Sequence, residues 1–268
     1  ATAPVNTYSI GFGKGFETYN ELEPAKLLAQ AYGTNHHEIQ VDPDISSLFP
    51  KLIGSLDEPL ADSSFLVTYL VAALARESVT VILSGVGGDE LFGGYRRYLS
   101  ANLNRYAKMM PGFVRRGVVL PLLNRLPVDR NSKVLNLCRL ARAYLSKADL
   151  PVEEQYGAYT ALLDDNFAND LMGEAPYENL YERYMGECDS EDLLDKLMYY
   201  DLKTSLPEQL LMLTDKMTMA TSLEARVPFL DHRVVEFAAR IPVQDKIRGS
   251  ELRWIQKETF RGKLPNFV

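Results

Sequence analysis

The stretch from residue 79 to residue 95, VTVILSGVGGDELFGGY, constrains the fold more than any other part of the chain. It begins with the β-favouring run from Val79 to Leu83 and continues directly into a glycine-rich turn. An apolar run of this length without polar interruption is typical of a strand buried on both faces of a parallel sheet. We therefore expect a buried parallel strand at 79–83 that ends in a tight turn.

The turn after this strand has the composition of a site for a nucleotide and a metal ion. Gly85, Gly87 and Gly88 permit positive φ and close approach of a ligand to the backbone. In open α/β sheets, ligands bind beyond the carboxyl ends of the strands. A phosphate beside Asp89 and Glu90 would be repelled unless Mg²⁺ lay between them. The residues alone leave a second interpretation open, namely a plain strand-to-helix turn with Asp89 as the N-cap.

Composition limits the classes of function. The chain has 268 residues, is 46% hydrophobic and carries a net charge of -7, which argues against a nucleic-acid surface as the main function. No apolar run approaches the roughly 18 residues of a membrane span. The two cysteines lie outside any CxxC or Cys/His cluster, which favours a cytoplasmic protein and argues against structural zinc. The chain opens without an initiator methionine, which suggests a fragment or a processed chain.

The order of predicted elements favours an α/β sheet followed by helices. Strands are expected at 5–12 and 36–41, and helices at 21–32, 46–55 and 65–78, before the strand at 79–83. This order fits right-handed βαβ crossovers in a parallel sheet, with at least one further strand expected from the N-terminal side. Later helices are expected at 96–110, 113–126, 133–145, within 152–184, from 190, at 233–239 and at 251–260.

Three other groups of polar residues have competing interpretations. His36 and His37 could suggest a metal site, but they are adjacent on a strand and point to opposite faces, so they do not chelate one ion easily. A solvated role or one satisfied within the core is expected instead. The acidic turn at 57–62 either caps the next helix or lies near the same crevice as the glycine-rich turn. Basic residues of the helices after residue 95 are expected to form a solvated face: Arg96, Arg97, Arg105, Lys108, Arg115, Arg116 and Arg125.

A second concentrated motif spans residues 213–231, LTDKMTMATSLEARVPFLD. Its charged residues lie among Met, Leu, Ala and Phe: Asp215, Lys216, Glu224, Arg226 and Asp231. Charges buried in such surroundings must be paired and hydrogen-bonded. The residues therefore favour either a functional cluster or a structural ion-pair network.

Three separated segments resemble one family. These are YSIGF at 8–12, SGVGGDELFGGY at 84–95 and MATSLEARVPFLD at 219–231, and they are similar to the synthetase domain of glutamine-dependent asparagine synthetases. Segments 33–38 and 57–62 look like family segments as well, so the resemblance extends from Tyr8 to Phe260. It implies a parallel α/β sheet of the adenine-nucleotide α-hydrolase type over about residues 1–100 and a mainly helical part over 101–268. It also implies ATP and Mg²⁺ as cofactors, adenylation of aspartate, and attack by ammonia released from glutamine.

The resemblance assigns roles to individual residues. Ile10 matches the position whose backbone contacts adenine, Ser84 and Gly85 match the pair that contacts the nucleotide, and Asp89 matches a magnesium and pyrophosphate residue. The motif that holds three further residues lies near the substrate pocket in the family: Asp215, Glu224 and Arg226.

Two substitutions depart from the family pattern. Val86 stands where the family usually has a glutamate important for formation of the intermediate, and Arg253 falls where a lysine is expected. The catalytic residue at each of these two positions is therefore unknown.

The family's pyrophosphate loop and glutamine-hydrolysing domain are expected to lie outside this chain. Residues 1–268 alone are therefore expected not to make asparagine. Amidation or cyclisation of another carboxylate, or a catalytically silent nucleotide-binding homologue, remain the alternatives. The resemblance is compatible with a homodimer.

Overall fold

The computed structural model describes residues 3–13, 20–41, 46–60, 62–99, 110–127, 132–150, 155–157, 170–171 and 180–265. The chain forms two compact units. The first combines Ala1–Leu91, Thr204–Ile241 and Trp254–Val268, and the second combines Phe92–Lys203 and Pro242–Arg253. Each unit is therefore built from segments that are distant in sequence. The predicted division into 1–100 and 101–268 stays a prediction.

The described helices and strands follow in chain order. Up to residue 92 they are β1 Asn6–Phe12, α1 Leu22–Tyr32, β2 Asn35–Val41, α2 Phe49–Ile53, α3 Ser64–Arg76, β3 Val81–Leu83 and α4 Gly88–Phe92. Beyond it they are α5 Gly112–Val114, α6 Leu120–Asn124, α7 Lys133–Ser146, α8 Leu180–Glu187, α9 Leu193–Lys203, α10 Met212–Met219, β4 Glu224–Arg226, α11 His232–Ala239, α12 Val243–Lys246 and α13 Trp254–Phe260. Short 3₁₀ turns lie at Ser46–Leu48, Arg96–Tyr98 and Pro228–Leu230, and π-helical turns at Arg115–Val119 and Leu206–Leu211.

The strands of the first unit form two small parallel sheets. β1 pairs with β2 from Asn6 opposite Asn35 to Phe12 opposite Val41. β3 pairs with β4, with Leu83 opposite Arg226. The prediction of a mixed α/β chain with parallel pairing is confirmed at this level. β4 was not predicted, because its three residues, EAR, carry no strand signal of their own.

β3 is not buried on both faces, and this part of the sequence prediction was wrong. Ile82 packs on the core, but Val81 is 40% exposed and Leu83 is 73% exposed. Successive side chains of a strand point to opposite faces. Within the described part of the chain, the core reaches β3 only on the face of Ile82.

Helix α3 holds the first unit together. Ala72 and Ala75 are buried with Leu223, and Tyr8 of β1 and Ile82 of β3 pack against this cluster. Alanines at these positions let two strands from different sheets approach the helix closely. A second cluster joins α2, α3 and α10 and contains Leu52, Phe65, Leu66, Tyr69, Leu213 and Met217.

Helix α1 ends as the sequence predicts. Gly33 has φ +62°, and its N–H donates to the carbonyls of Ala29 and Gln30. A left-handed glycine of this kind closes a helix and satisfies its last carbonyl groups. The reversal leads directly into β2.

The second unit has a polar centre in an apolar core. Asp201 of α9 is fully buried, and its Oδ2 accepts hydrogen bonds from Tyr98 Oη at 2.6 Å, Tyr156 Oη at 2.5 Å and Arg97 Nη2 at 2.8 Å. Burial, followed by the negative charge of Asp201, raises the pKa of both tyrosines. The surrounding apolar residues are Met185, Leu194, Leu197, Met198 and Ile247.

Two arginines contradict the predicted solvated face. The Arg97 side chain is only 27% exposed because it binds Asp201, and Arg115 is 3% exposed and pairs with Asp149. Arg116, at 66% exposure, fits the prediction even though it also binds Asp149. Arg105 and Lys108 lie outside the described residues, as does most of the helical region expected at 152–184.

Candidate functional site

Pairing of β3 with β4 joins the two sequence motifs. Glu224 N–H donates to the carbonyl of Thr80, and Ser84 N–H donates to the carbonyl of Arg226 at 2.8 Å. The glycine-rich turn therefore begins beside the last residue of β4. Parallel strands present their carboxyl ends at one edge, so both motifs leave the sheet together. The segments at 84–95 and 219–231 therefore lie side by side.

The glycines of the turn serve different purposes. Gly87 has φ +92°, and a Cβ there would lie 2.4 Å from Leu230, so both backbone and packing require glycine. A Cβ on Gly88 would lie 3.4 Å from the Phe229 ring. Gly85 is different, because its φ is ordinary and a Cβ there would meet nothing within 4 Å. Neither packing nor backbone conformation explains Gly85, which leaves open space beside its backbone for a ligand.

The residues that back the turn were not predicted as part of the site. Phe229 and Leu230 come from the 3₁₀ turn after β4 and lie against Gly88 and Gly87. Their sequence, PFL, gives no sign of this role. The role depends on the pairing of β3 with β4, which joins residues as far apart in sequence as Val81 and Glu224.

The two acids after the glycines lie inside a helix. Asp89 and Glu90 occupy the first turn of α4, which begins at Gly88, so Asp89 is not its N-cap. Carboxylates in this position are favoured by the helix dipole. Glu90 is 1% exposed, whereas Asp89 is half-buried with its Oδ1 atom shielded from solvent.

This arrangement fits Mg²⁺ held by few protein ligands. Mg²⁺ is usually bound through one or two carboxylates together with phosphate oxygens and water. Asp89 stands at the turn where such phosphates would approach. Among the described residues, no group of three or more His, Cys, Asp or Glu side chains could hold a metal ion by itself.

Three charged residues of the second motif, Asp215, Glu224 and Arg226, are exposed, whereas Lys216 and Asp231 are partly exposed. Arg226 Nε donates to Glu224 Oε1 at 2.8 Å, and the two side chains are 65% and 56% exposed. They alternate with Ala225 on β4, so they share one face. Asp215 on α10 is also exposed. The ion-pair interpretation of the motif is confirmed for Glu224 and Arg226, which form their pair at the surface.

The acidic turn at 57–62 has the capping role that was one of the two interpretations of its sequence. Asp62 Oδ1 accepts from Ser64 N–H at 2.9 Å at the start of α3, which is a capping role. Asp62 Oδ2 also accepts from Gln209 Nε2 at 2.8 Å, and Asp57 pairs with Lys216 of α10. The turn therefore caps α3 and also binds the helical segment that leads to β4.

Replacing Gln209 with alanine should lower stability in a pH-dependent manner. Burial raises the pKa of Asp62, but hydrogen bonds from Ser64 and Gln209 outweigh it, and the net shift is downward. Because the pKa of Asp62 is lower in the folded state, its ionised form stabilises the fold at pH values above the unfolded pKa of 3.8. This stabilisation is lost as the pH falls through the pKa of the folded state. We expect a loss of about 1 kcal/mol near pH 6 that shrinks below pH 4, measured by urea unfolding.

The exposed Gln40 of β2 offers the control for this prediction. Gln40→Ala should change the unfolding free energy equally at pH 6 and pH 3. A Gln209→Ala loss that is the same at both values would contradict a hydrogen bond to an ionised Asp62.

The other residues singled out by the sequence belong to three different segments of the chain. Ile10 is in β1, opposite Ile39, and is half-buried. Val86 is half-buried in the turn, and its N–H donates to Ser84 Oγ at 3.4 Å. Arg253 belongs to the second unit and has φ +54°.

The fold and the turn define a mixed α/β protein with an acidic, glycine-rich turn at the carboxyl end of a parallel strand. Residues 1–268 match the family model described as asparagine synthase. The chain belongs to the asparagine synthase family, and the resemblance inferred from the sequence is confirmed. Family members with this name are ligases, which agrees with the predicted class of enzyme.

Curated relatives extend beyond the chain. It is 29% identical, over 98% of its length, to asparagine synthetase (glutamine-hydrolyzing) 1 of Bacillus subtilis and spans 41% of that protein. It is 31% identical over 98% of its length to a Mycobacterium bovis relative also named for glutamine-hydrolysing asparagine synthetase, of which it spans 39%. A protein named amidase chry2 from Gibberella zeae is 21% identical over 97% of this chain. The chain thus spans about two fifths of the first two relatives.

No helix in the described ranges combines the length and apolarity needed to cross a membrane.

Proposed function

We propose that this chain is the synthetase part of an enzyme that forms an amide by adenylating a carboxylate with ATP and Mg²⁺. Aspartate is the proposed acceptor, and ammonia from a glutamine-hydrolysing domain is the proposed amine. The observation that carries the proposal is the β3–β4 pairing, because it joins the glycine-rich turn to the Glu224–Arg226 motif. The names of the relatives support the same chemistry.

The first unit is proposed to have the adenine-nucleotide α-hydrolase fold. Ser84 and Gly85 would contact the nucleotide, where Gly85 leaves open space, and the backbone of Ile10 would contact adenine. Asp89 would hold Mg²⁺, which neutralises phosphate charge as pyrophosphate leaves. Leu230 and Phe229 pack against the glycine-rich turn. This packing would hold the binding groups in position before the reaction begins.

The substrate pocket is proposed to include Asp215, Glu224 and Arg226. A guanidinium binds a carboxylate through two parallel hydrogen bonds, and a carboxylate binds an ammonium group. The exposed Glu224–Arg226 pair thus offers one group of each charge to a zwitterionic amino acid. A homodimer stays a prediction from the resemblance, and a cytoplasmic location stays a prediction from the two cysteines.

A second candidate is adenylation of a different carboxylate. Val86, in place of the expected glutamate, and the similarity to amidase chry2 favour it. A catalytically silent nucleotide-binding homologue is the third reading of the same substitutions. ATP–pyrophosphate exchange measured with a set of amino acids separates the three candidates. The leading proposal requires exchange with aspartate, and the second requires exchange with another carboxylate. A silent homologue gives no exchange.

Replacing Gly85 with alanine tests the nucleotide site directly. The added methyl group enters open space, so we expect the melting temperature to stay unchanged while affinity for ATP–Mg²⁺ falls about tenfold, or about 1.4 kcal/mol. Titration calorimetry on the full-length protein measures the affinity.

A matched glycine provides the control. At Gly54 a Cβ would make ordinary contact, 3.5 Å from the Lys51 carbonyl, in the same unit. Gly54→Ala should leave ATP affinity unchanged. Equal affinity of Gly85→Ala and the parent protein would remove the proposed nucleotide contact.

A further inference from the structure

A cleft lies between α1 and β2, lined by residues that have no role in the proposed site. Its volume is ≈ 380 Å³, and its lining includes Lys26, Thr34, His36 and Glu38. None of the proposed nucleotide or substrate residues lines it. The cleft belongs entirely to the first unit.

Two side chains on the cleft wall form an incomplete interaction. His36 Nε2 is buried, makes no hydrogen bond, and lies 3.4 Å from Glu38 Oε1. The two side chains are 11% and 33% exposed. They are two residues apart on β2 and therefore share one face. His37 points to the other face, where its ring stacks on Tyr8 with centroids 5.1 Å apart.

The other ring nitrogen of His36 is hydrogen-bonded to a threonine hydroxyl. Nδ1 lies 2.8 Å from Thr7 Oγ1, which in turn lies 3.1 Å from Thr34 Oγ1. When Nδ1 carries the proton and donates to Thr7, Nε2 presents a lone pair toward Glu38 and the cleft. Metal-binding histidines usually donate a hydrogen bond from the ring nitrogen that does not bind the metal, and this bond fixes the tautomer and the ring orientation.

We propose that His36 and Glu38 bind a divalent transition-metal ion, of the class of Zn²⁺ or Co²⁺, at the mouth of this cleft. Nitrogen and oxygen ligands lie about 2.0–2.2 Å from zinc, so two of them at a tetrahedral angle are separated by about 3.4 Å. The observed separation of Nε2 and Oε1 is 3.4 Å. The proposed ligands are thus His36 and Glu38, and not the adjacent pair His36 and His37.

Water is proposed to complete the coordination. No third His, Cys, Asp or Glu joins the pair among the described residues. The two remaining positions therefore face the cleft, and the site exchanges its ion readily. An exchangeable ion at this site would stabilise the turn from α1 into β2 rather than take part in the amide-forming reaction.

Zinc titration of the 268-residue chain without an affinity tag tests the proposal. The chain has three histidines, so ¹⁵N spectra of the imidazole rings can resolve each one. Adding Zn²⁺ alone should shift His36 Nε2 and leave His37 and His232 unchanged. Calorimetry should give one ion per chain.

Matched variants identify the ligands. His36→Gln and Glu38→Gln should each weaken Zn²⁺ binding at least tenfold. Thr7→Val removes the hydroxyl that is hydrogen-bonded to His36 Nδ1 and should weaken binding about tenfold. His37→Gln should bind as the parent chain does. Circular dichroism melting identifies any variant that has lost its fold, and the imidazole spectra of the parent chain provide a measurement that needs no variant.

Two results would overturn the proposal. One is an unchanged His36 signal at saturating Zn²⁺, which would leave only an ion pair between His36 and Glu38. The other is equal weakening by His36→Gln and His37→Gln, which would indicate non-specific binding to the histidines.

Discussion

Replacing Val86 with glutamate is expected to raise the rate of amide formation about 100-fold or more, and to raise it more than the rate of pyrophosphate release. A carboxylate here can accept a proton from the incoming amine, and valine cannot. The backbone at Val86 has no left-handed strain, so the larger side chain is compatible with the turn. The neighbouring acids Asp89 and Glu90 would raise the pKa of the introduced carboxyl group toward neutral pH, which suits a general base.

Two measurements on the full-length protein separate the steps. Pyrophosphate release reports adenylation, and amide formation reports transfer of the amine. Val86→Gln has nearly the size of the glutamate variant without its basicity and should stay at the parent rate. If neither rate changes in the glutamate variant, and asparagine already forms at about 10 s⁻¹, the valine has no catalytic consequence.

Local signals in the sequence predicted the local structure well. α1 has apolar residues at helical spacing and a closing glycine, and Gly33 indeed takes a left-handed conformation. The run at 79–83 was predicted as a strand for the same kind of reason, and β3 lies there. These features depend on residues within one or two turns of each other, so a single sequence contains all the information they need.

Features that depend on distant partners were missed. β4 is a strand because its backbone pairs with β3, and nothing in EAR distinguishes it from a loop. Exposure of Leu83 has the same origin, since an apolar run cannot reveal how many of its faces are covered. The role of Leu230 follows from β4 and was hidden with it.

Charged residues were the hardest to interpret. Arg97 and Asp201 are 104 positions apart, and a helix with scattered arginines looks the same whether they meet water or a buried carboxylate. Glu224 and Arg226 show the converse, because their neighbours in sequence are apolar and yet the ion pair is exposed. Neighbours in sequence do not fix the solvent exposure of a charge.

Replacing Asp201 with alanine is expected to destabilise the second unit by about 3–5 kcal/mol. The substitution removes the shared acceptor of Tyr98, Tyr156 and Arg97. The two tyrosines are fully buried, so water does not replace the carboxylate as their acceptor. Unpaired buried polar groups cost far more than the net value of the bonds they had made. Urea unfolding followed by tyrosine fluorescence should show a transition at lower denaturant.

Two comparisons test whether the buried carboxylate is the cause. Asp189, exposed in the segment between α8 and α9, should tolerate alanine within about 0.5 kcal/mol. Combining Asp201→Leu with Arg97→Met should recover part of the loss, because an apolar pair leaves fewer unpaired charges in the core. If alanine at Asp201 lowers the unfolding free energy no more than alanine at Asp189 does, the two tyrosines and Arg97 find other acceptors. The apolar residues around them would then stabilise the unit without this carboxylate.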